Sequence, residues 1–194
     1  MTKAKENALT ETEVELFLNA CTSQTQKLIA TVLIYAGLRV SELAHMKKIW
    51  IDWQEQTINI PSSQPCTCGE CAKKGGIWKP KTTKAIRAVP FKQEIRLSTL
   101  LRAYFSLYDE VGLSRVAIFQ NIKSIAKKSG ITHRVYPHAL RATAATRFGH
   151  RCSGPTVCYI MGWAKPETGD IYITPSKRQA LEEIDRVYQN ANRL

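Results

Sequence analysis

Tyr172 stands in GWAKPETGDIYITPSKR (residues 162–178), between an acidic turn and a basic tail. A phenol with a pKa near ~10 is a nucleophile only where positive charge or a base draws off its proton. Elsewhere a tyrosine packs its ring and hydrogen-bonds its hydroxyl. Two arginines sit where they could supply that charge. Arg39 follows Gly37 in GLRVSEL (residues 37–43), with Glu42 three residues on to hold the guanidinium. Arg141 closes HALR (residues 138–141), and i,i+3 spacing on a helix puts His138 on the same face. Trp163 precedes Tyr172 by nine residues, and Lys79, Lys81 and Lys84 crowd a stretch that reads as a hairpin. Singly, each has an ordinary role: a surface ion pair, a packed ring, a solvated lysine. Together they share one chemistry. Guanidiniums clamp anionic oxygens through planar, bidentate hydrogen bonds. Imidazole and indole N–H groups add donors, and a phenol can attack the centre so held. The electrophile that fits is a phosphodiester.

The charge agrees. Lys and Arg number 28 against 16 Asp and Glu, a net +12. Such an excess points to a polyanion, nucleic acid before a membrane surface. No stretch approaches the ~20 apolar residues of a membrane span, and MTKAKENALTETE at the N-terminus has no apolar run of a secretory signal. The expectation is a cytoplasmic, nucleoid-associated protein without a membrane partner. In that compartment the six cysteines, Cys21, Cys66, Cys68, Cys71, Cys152 and Cys158, read as thiols or metal ligands before disulfides.

The set GLRVSEL, lysine hairpin, HALR, GW and Tyr172, in that order across roughly residues 9–185, resembles the catalytic domain of the tyrosine recombinases, the phage-integrase family. RATAAT and the cysteine loop give the resemblance an archaeal or viral cast, with viral genome integration among its uses. The resemblance implies catalytic roles for Arg39, Lys81, His138, Arg141, Trp163 and Tyr172, with Tyr172 the nucleophile and Glu42 in support. The family lysine stands eight residues before the V-P proline, whereas Lys81 is nine before Pro90, so Lys79 and Lys84 stay in contention as the general acid. The implied reaction is site-specific cleavage and rejoining of double-stranded DNA through a 3′-phosphotyrosyl ester, with no metal, ATP or other cofactor in the chemistry. A homotetramer on paired sites is implied, with a monomer or weak dimer in solution. The alternatives are a type IB topoisomerase-like nicking-closing enzyme and a decayed relative that binds DNA without cutting it.

The elements expected to carry these residues are mostly helical. Thr10 and Glu13 form a capping box before EVELFLNAC. SQTQKLIATVLIYAG is a central core helix ending at Gly37, and a short helix runs from about Ser41 to Met46. WIDWQEQTINIP turns like a hairpin, and IWKPKTTKAIRAVPF resumes extended structure, with Pro80 and Pro90 at strand ends. Further helices follow from residue 92: one ending near Tyr108, one capped by Ser114 and stopped at Gly130, one over 137–149, one over 154–161 and one over 176–192. Tyr159 is read as packing. The fold class is α+β, mostly helical with a small antiparallel sheet, the DNA breaking-rejoining catalytic fold. The expectation is a single catalytic domain, 1–194, with a short N-terminal arm (1–9), an inserted Cys-containing loop (61–76), a C-terminal helix and tail (176–194) and no N-terminal core-binding domain, the chain being either a minimal recombinase or a piece of a longer one. On the last helix, Leu181, Ile184 and Val187 could dock on a neighbouring copy.

Cys66, Cys68 and Cys71 in CTCGEC offer three thiolates to a structural zinc, which takes four ligands. No fourth is adjacent; Cys21, Cys152, Cys158, His45 or His150 could supply it through the fold. Free thiols and a disulfide are the alternative readings.

Overall fold

The computed structural model describes residues 3–92 and 94–173, with residues 177, 180, 181 and 184 beyond them. The chain opens with α1 (Lys3–Glu6), α2 (Glu11–Asn19) and α3 (Gln24–Thr31), which continues as a π-helical turn over Val32–Ala36. After α4 (Val40–Ala44) come β1 (Ile51–Asp52), β2 (Thr57–Ile60), β3 (Gln64–Pro65), α5 (Gly69–Ala72), β4 (Ile77–Trp78) and β5 (Arg87–Pro90). The remainder is α6 (Ile95–Phe105), α7 (Arg115–Ser129), α8 (Pro137–Gly149), α9 (Gly154–Met161) and α10 (Pro166–Ile173). This is the mostly helical α+β architecture expected, with its small antiparallel sheet.

The caps act where the residue types put them. Thr10 accepts from the Glu13 N–H while Glu13 reaches back to the Thr10 N–H, and Ser114 accepts from the Ala117 N–H. Gly37 and Gly130 both turn left-handed to stop their helices. The main core lies among α2, α3, α6 and α7, with Phe17, Leu28, Leu33, Leu97, Phe105, Ile118 and Ile122 sealed from water. Each such side chain contributes about 1.5–3 kcal/mol by burial. A second, smaller cluster joins Ala8, Ala142, Ala145, Val157, Met161 and Tyr172. The small residues of RATAAT let α8 lie close against the π-helical turn, so this second cluster and the main core meet along α8.

Two expectations need correction. The lysine hairpin is not a simple one. β1, β2 and β5 form the three-stranded sheet, with Ile58 opposite Val89 and Ile60 opposite Arg87. Residues 61–86 leave this sheet and build their own two-stranded pair, Gln64 opposite Trp78 and Pro65 opposite Ile77. Only Ile77–Trp78 and Arg87–Pro90 of the second extended run are strand; Pro80 has no N–H for a ladder, and Thr83–Ala85 makes a 3₁₀ turn. Ala8 and Leu9, at the end of the N-terminal arm, are buried, and the Leu9 N–H donates to Thr143 Oγ1 on α8 at 2.8 Å. Tyr159, read as packing, is instead exposed, its hydroxyl accepting from the Ala88 N–H at 3.4 Å. Of the expected final helix, Leu181 and Ile184 are exposed, and Val187 lies outside the described residues.

Candidate active site

The site is built around the C-terminal end of α9. The last carbonyls of a helix have no partner within it and carry its negative pole. Here three successive ones are each taken by a different arginine. Arg87 Nε donates to the Ile160 carbonyl at 2.6 Å, Arg141 Nη2 to that of Met161, and Arg39 Nη2 to that of Gly162 at 2.7 Å. The three come from β5, α8 and the N-terminus of α4, so one helix end fixes three elements. Arg141 Nη1 also donates to the Gly37 carbonyl, joining α8 to the turn that precedes Arg39.

Glu42 balances this charge. Its Oε2 accepts from the Arg39 backbone N–H at 2.8 Å, and its Oε1 from Arg39 Nη1 at 2.8 Å. Arg87 grips the other side with Nη1 to Oε1 at 3.0 Å and Nη2 to Oε2 at 3.1 Å. Glu42 is 1% exposed. Burial pushes its pKa up, but the Arg87 hydrogen bonds and charge, the Arg141 charge and the Arg39 N–H outweigh that and hold it down to about 2. Arg141 is pulled down to about 9, first by burial and then by the Arg39 charge, and so stays cationic at neutral pH.

Two glycines make these approaches possible. Gly37 (φ 60°) and Gly162 (φ 62°) are both left-handed. A Cβ on Gly37 would lie 3.0 Å from Ala144 Cβ and from Met161 Sδ, and one on Gly162 would lie 3.0 Å from the Lys84 carbonyl oxygen.

The other sequence candidates surround this cationic centre. Trp163 stacks on Tyr172, with centroids 4.9 Å apart and planes 22° apart, and the Arg141 guanidinium lies 5.9 Å from the Trp163 ring centre. Tyr172, on α10, is buried, and α10 packs on α8 and α9 of its own chain. His138 opens α8 at the surface; its pKa is lowered, first by desolvation, then by the charges of Arg141, Lys81 and Arg39. Lys81 itself is exposed on the 61–86 excursion. Lys79 and Lys84 lie on the same excursion, Lys84 exposed. The arrangement brings together Arg39, Glu42, Lys81, His138, Arg141, Trp163 and Tyr172 from five separate segments. Sequence reasoning missed Arg87. Its signal was present: in RAVP, Arg87 and Val89 share the inward face of a strand, and an arginine there needs a buried partner.

The chain matches the phage integrase family over residues 7–179. It is 32% identical over 146 residues to the tyrosine recombinase XerA of Saccharolobus solfataricus, covering 72% of this chain and 42% of that protein. Among solved structures, the crystal structure of XerA recombinase superposes with a TM-score of 0.70 at 25% identity, over 92% of this chain and 62% of that one. The Tn1549 transposon integrase in complex with transposon right end DNA shares the fold, with a TM-score of 0.68 at 21% identity, over 93% of this chain and 66% of that one. The chain thus spans less than two thirds of the length of the XerA proteins it matches.

Proposed function

The chain belongs to the phage integrase family, and from that premise we propose that it is a site-specific DNA recombinase that cuts and rejoins duplex DNA through a phosphotyrosyl ester on Tyr172. The observation that carries this reading is the convergence of Arg39 and Arg141, from two segments, on successive carbonyls at the end of α9, with Trp163 stacked on Tyr172 and lying 5.9 Å from the Arg141 guanidinium. Two guanidiniums beside a phenol suit an anionic electrophile, and a DNA phosphate is such an anion.

In this mechanism the two guanidiniums hold the nonbridging oxygens as negative charge grows on them. The loss of one such donor costs about 100- to 1000-fold in rate. The Tyr172 oxygen bonds to phosphorus, and the bond from phosphorus to the 5′-oxygen breaks. His138, whose pKa is lowered first by desolvation and then by the charges of Arg141, Lys81 and Arg39, is the base that takes the phenol proton. Lys81, on the 61–86 excursion, delivers a proton to the leaving 5′-oxygen. The ester conserves the energy of the broken bond, so the same steps in reverse rejoin the strand without ATP. Charge stabilisation falls to the arginines, and no metal enters these steps. Tyr172 and Arg141 are 8% and 6% exposed, so seating a duplex must uncover them, and α10 is the element whose shift does so. Exchange between two duplexes breaks four strands and calls for four tyrosines, hence a tetramer of this chain on paired sites.

The test is trapping on a library of nicked duplexes that release the short fragment bearing the new 5′-hydroxyl after cleavage. A covalent protein–DNA adduct mapping to Tyr172, absent in Tyr172→Phe and undiminished by brief EDTA treatment, is the expected result. An adduct that survives Tyr172→Phe, or that forms only with magnesium, overturns the reading. Relaxation of supercoils at many sequences without exchange between duplexes favours a nicking-closing enzyme instead.

A further inference from the structure

Apart from the arginine cluster, the other concentration of reactive side chains among the described residues is on the 61–86 excursion. The ligand atoms of His45, Cys66, Cys68 and Cys71 all lie within 4.8 Å of one another. Of the five residues considered from sequence as a fourth ligand, His45 alone joins the three thiols. It stands at the C-cap of α4, four residues after Ser41 and so one helical turn beyond it.

We infer that His45, Cys66, Cys68 and Cys71 form a structural zinc site that fastens the lysine-bearing excursion to the helix that follows Arg39. Three independent features support it. The first is the metric. Zinc bonds of about 2.3 Å to sulfur and 2.0–2.1 Å to nitrogen set a tetrahedral S···N edge of roughly 3.5 Å. His45 Nε2 lies 3.5 Å from Cys68 Sγ and 3.5 Å from Cys71 Sγ. The second is the tautomer. His45 Nδ1 is 2.8 Å from the Ser41 carbonyl oxygen, which can only accept, so Nδ1 carries the proton and Nε2 turns its lone pair to the sulfurs. A backbone carbonyl on the remote nitrogen is the usual support of a metal-bound histidine. The third is the frame. Trp78 stacks on the His45 ring at 5.4 Å and donates from Nε1 to Ser41 Oγ at 3.1 Å, while Gln64 Nε2 donates to the His45 carbonyl at 2.7 Å. The loop closes on itself through Cys66 N–H to the Gly76 carbonyl and Gly76 N–H to the Cys71 carbonyl, and the Cys68 N–H points at Cys66 Sγ from 3.5 Å. Three soft thiolates and an imidazole select zinc over magnesium or calcium. Four protein ligands close the shell, so the ion holds structure and leaves no position for substrate.

The test is the metal content of the whole chain, purified without chelator, and it is independent of any activity on DNA. One zinc per chain is expected, and cobalt(II) in its place gives the intense visible absorption of a tetrahedral thiolate site. His45→Ala and Cys71→Ser weaken zinc by roughly 100-fold or more, whereas Cys158→Ser leaves it bound. Because a ligand variant could fail to fold, alkylation of the wild type supplies a second readout: Cys66, Cys68 and Cys71 are shielded until zinc is chelated. Substoichiometric zinc with a colourless cobalt-treated protein overturns the site, as does a disulfide among these three cysteines in freshly isolated protein.

Discussion

Glu42 decides whether three arginines can share so small a volume. Its carboxylate accepts four hydrogen bonds, two from Arg39 and two from Arg87, and Arg87 has no exposed side-chain surface. A carboxylate held down to about 2 from 4.5 stabilises the fold fully above 4.5 and loses that contribution as pH falls toward about 2. The shift corresponds to on the order of 3 kcal/mol. Glu42→Gln leaves the buried Arg87 charge without its counterion, a loss of about 3–5 kcal/mol at pH 7. The same variant has no carboxylate to protonate, so its gap from the wild type narrows between about pH 7 and about pH 3.5. Urea unfolding followed by circular dichroism at the two pH values checks this; an equal gap at both contradicts the charged role of Glu42. The Arg39–Glu42 half of this network was legible in the sequence because both partners lie within one helical turn. Of the Arg87 half, RAVP could show an inward-facing arginine but not its partner, since 45 residues separate it from Glu42 and only the return of β5 to the sheet brings them together.

The end of α9 does for the elements what Glu42 does for the charges. Carbonyls 160–162 hold arginines from β5, α8 and the N-cap of α4, and Gly162 lets the chain pass the Lys84 carbonyl, 3.0 Å from where a Cβ would stand. Gly130 offers a comparison, left-handed at φ 72° with nothing within 4 Å of its missing Cβ. Gly130→Ala therefore carries only the left-handed strain, about 1–2 kcal/mol. Gly162→Ala carries that strain and must also displace the Lys84–Ala85 backbone and Arg87, so its loss is greater. Thermal melts of the two variants check the order, and equal losses contradict the close approach. Helix positions were largely readable because caps and glycine stops are local signals: Thr10, Ser114, Gly37 and Gly130 each act where their type suggests. The path of residues 61–86 was not, because its strand partners are set by long-range pairing, and His45 meets cysteines that lie more than 20 residues further along the chain.

At the scale of the molecule, the net charge of +12 matters by where it is placed. Lys79, Lys81 and Lys84 lie on the excursion beside the arginine cluster. Lys128 donates to Thr22, at the start of the helical run 24–36. At about 1.5 Å per residue, that run sets its far end roughly 20 Å from Gly37. If a duplex lies across the arginine cluster, lysines of the excursion touch its phosphates and those beyond the far end of α3 do not. Each phosphate contact contributes about −0.9 to the slope of log K against log salt. Lys79→Gln with Lys84→Gln should flatten that slope by about 1.8, while Lys127→Gln with Lys128→Gln, which removes the same charge, should leave it unchanged within error. Fluorescence anisotropy titrations of a labelled duplex at several salt concentrations separate the two pairs. Equal flattening by both means that net charge alone governs binding, and the face assigned to DNA is then wrong.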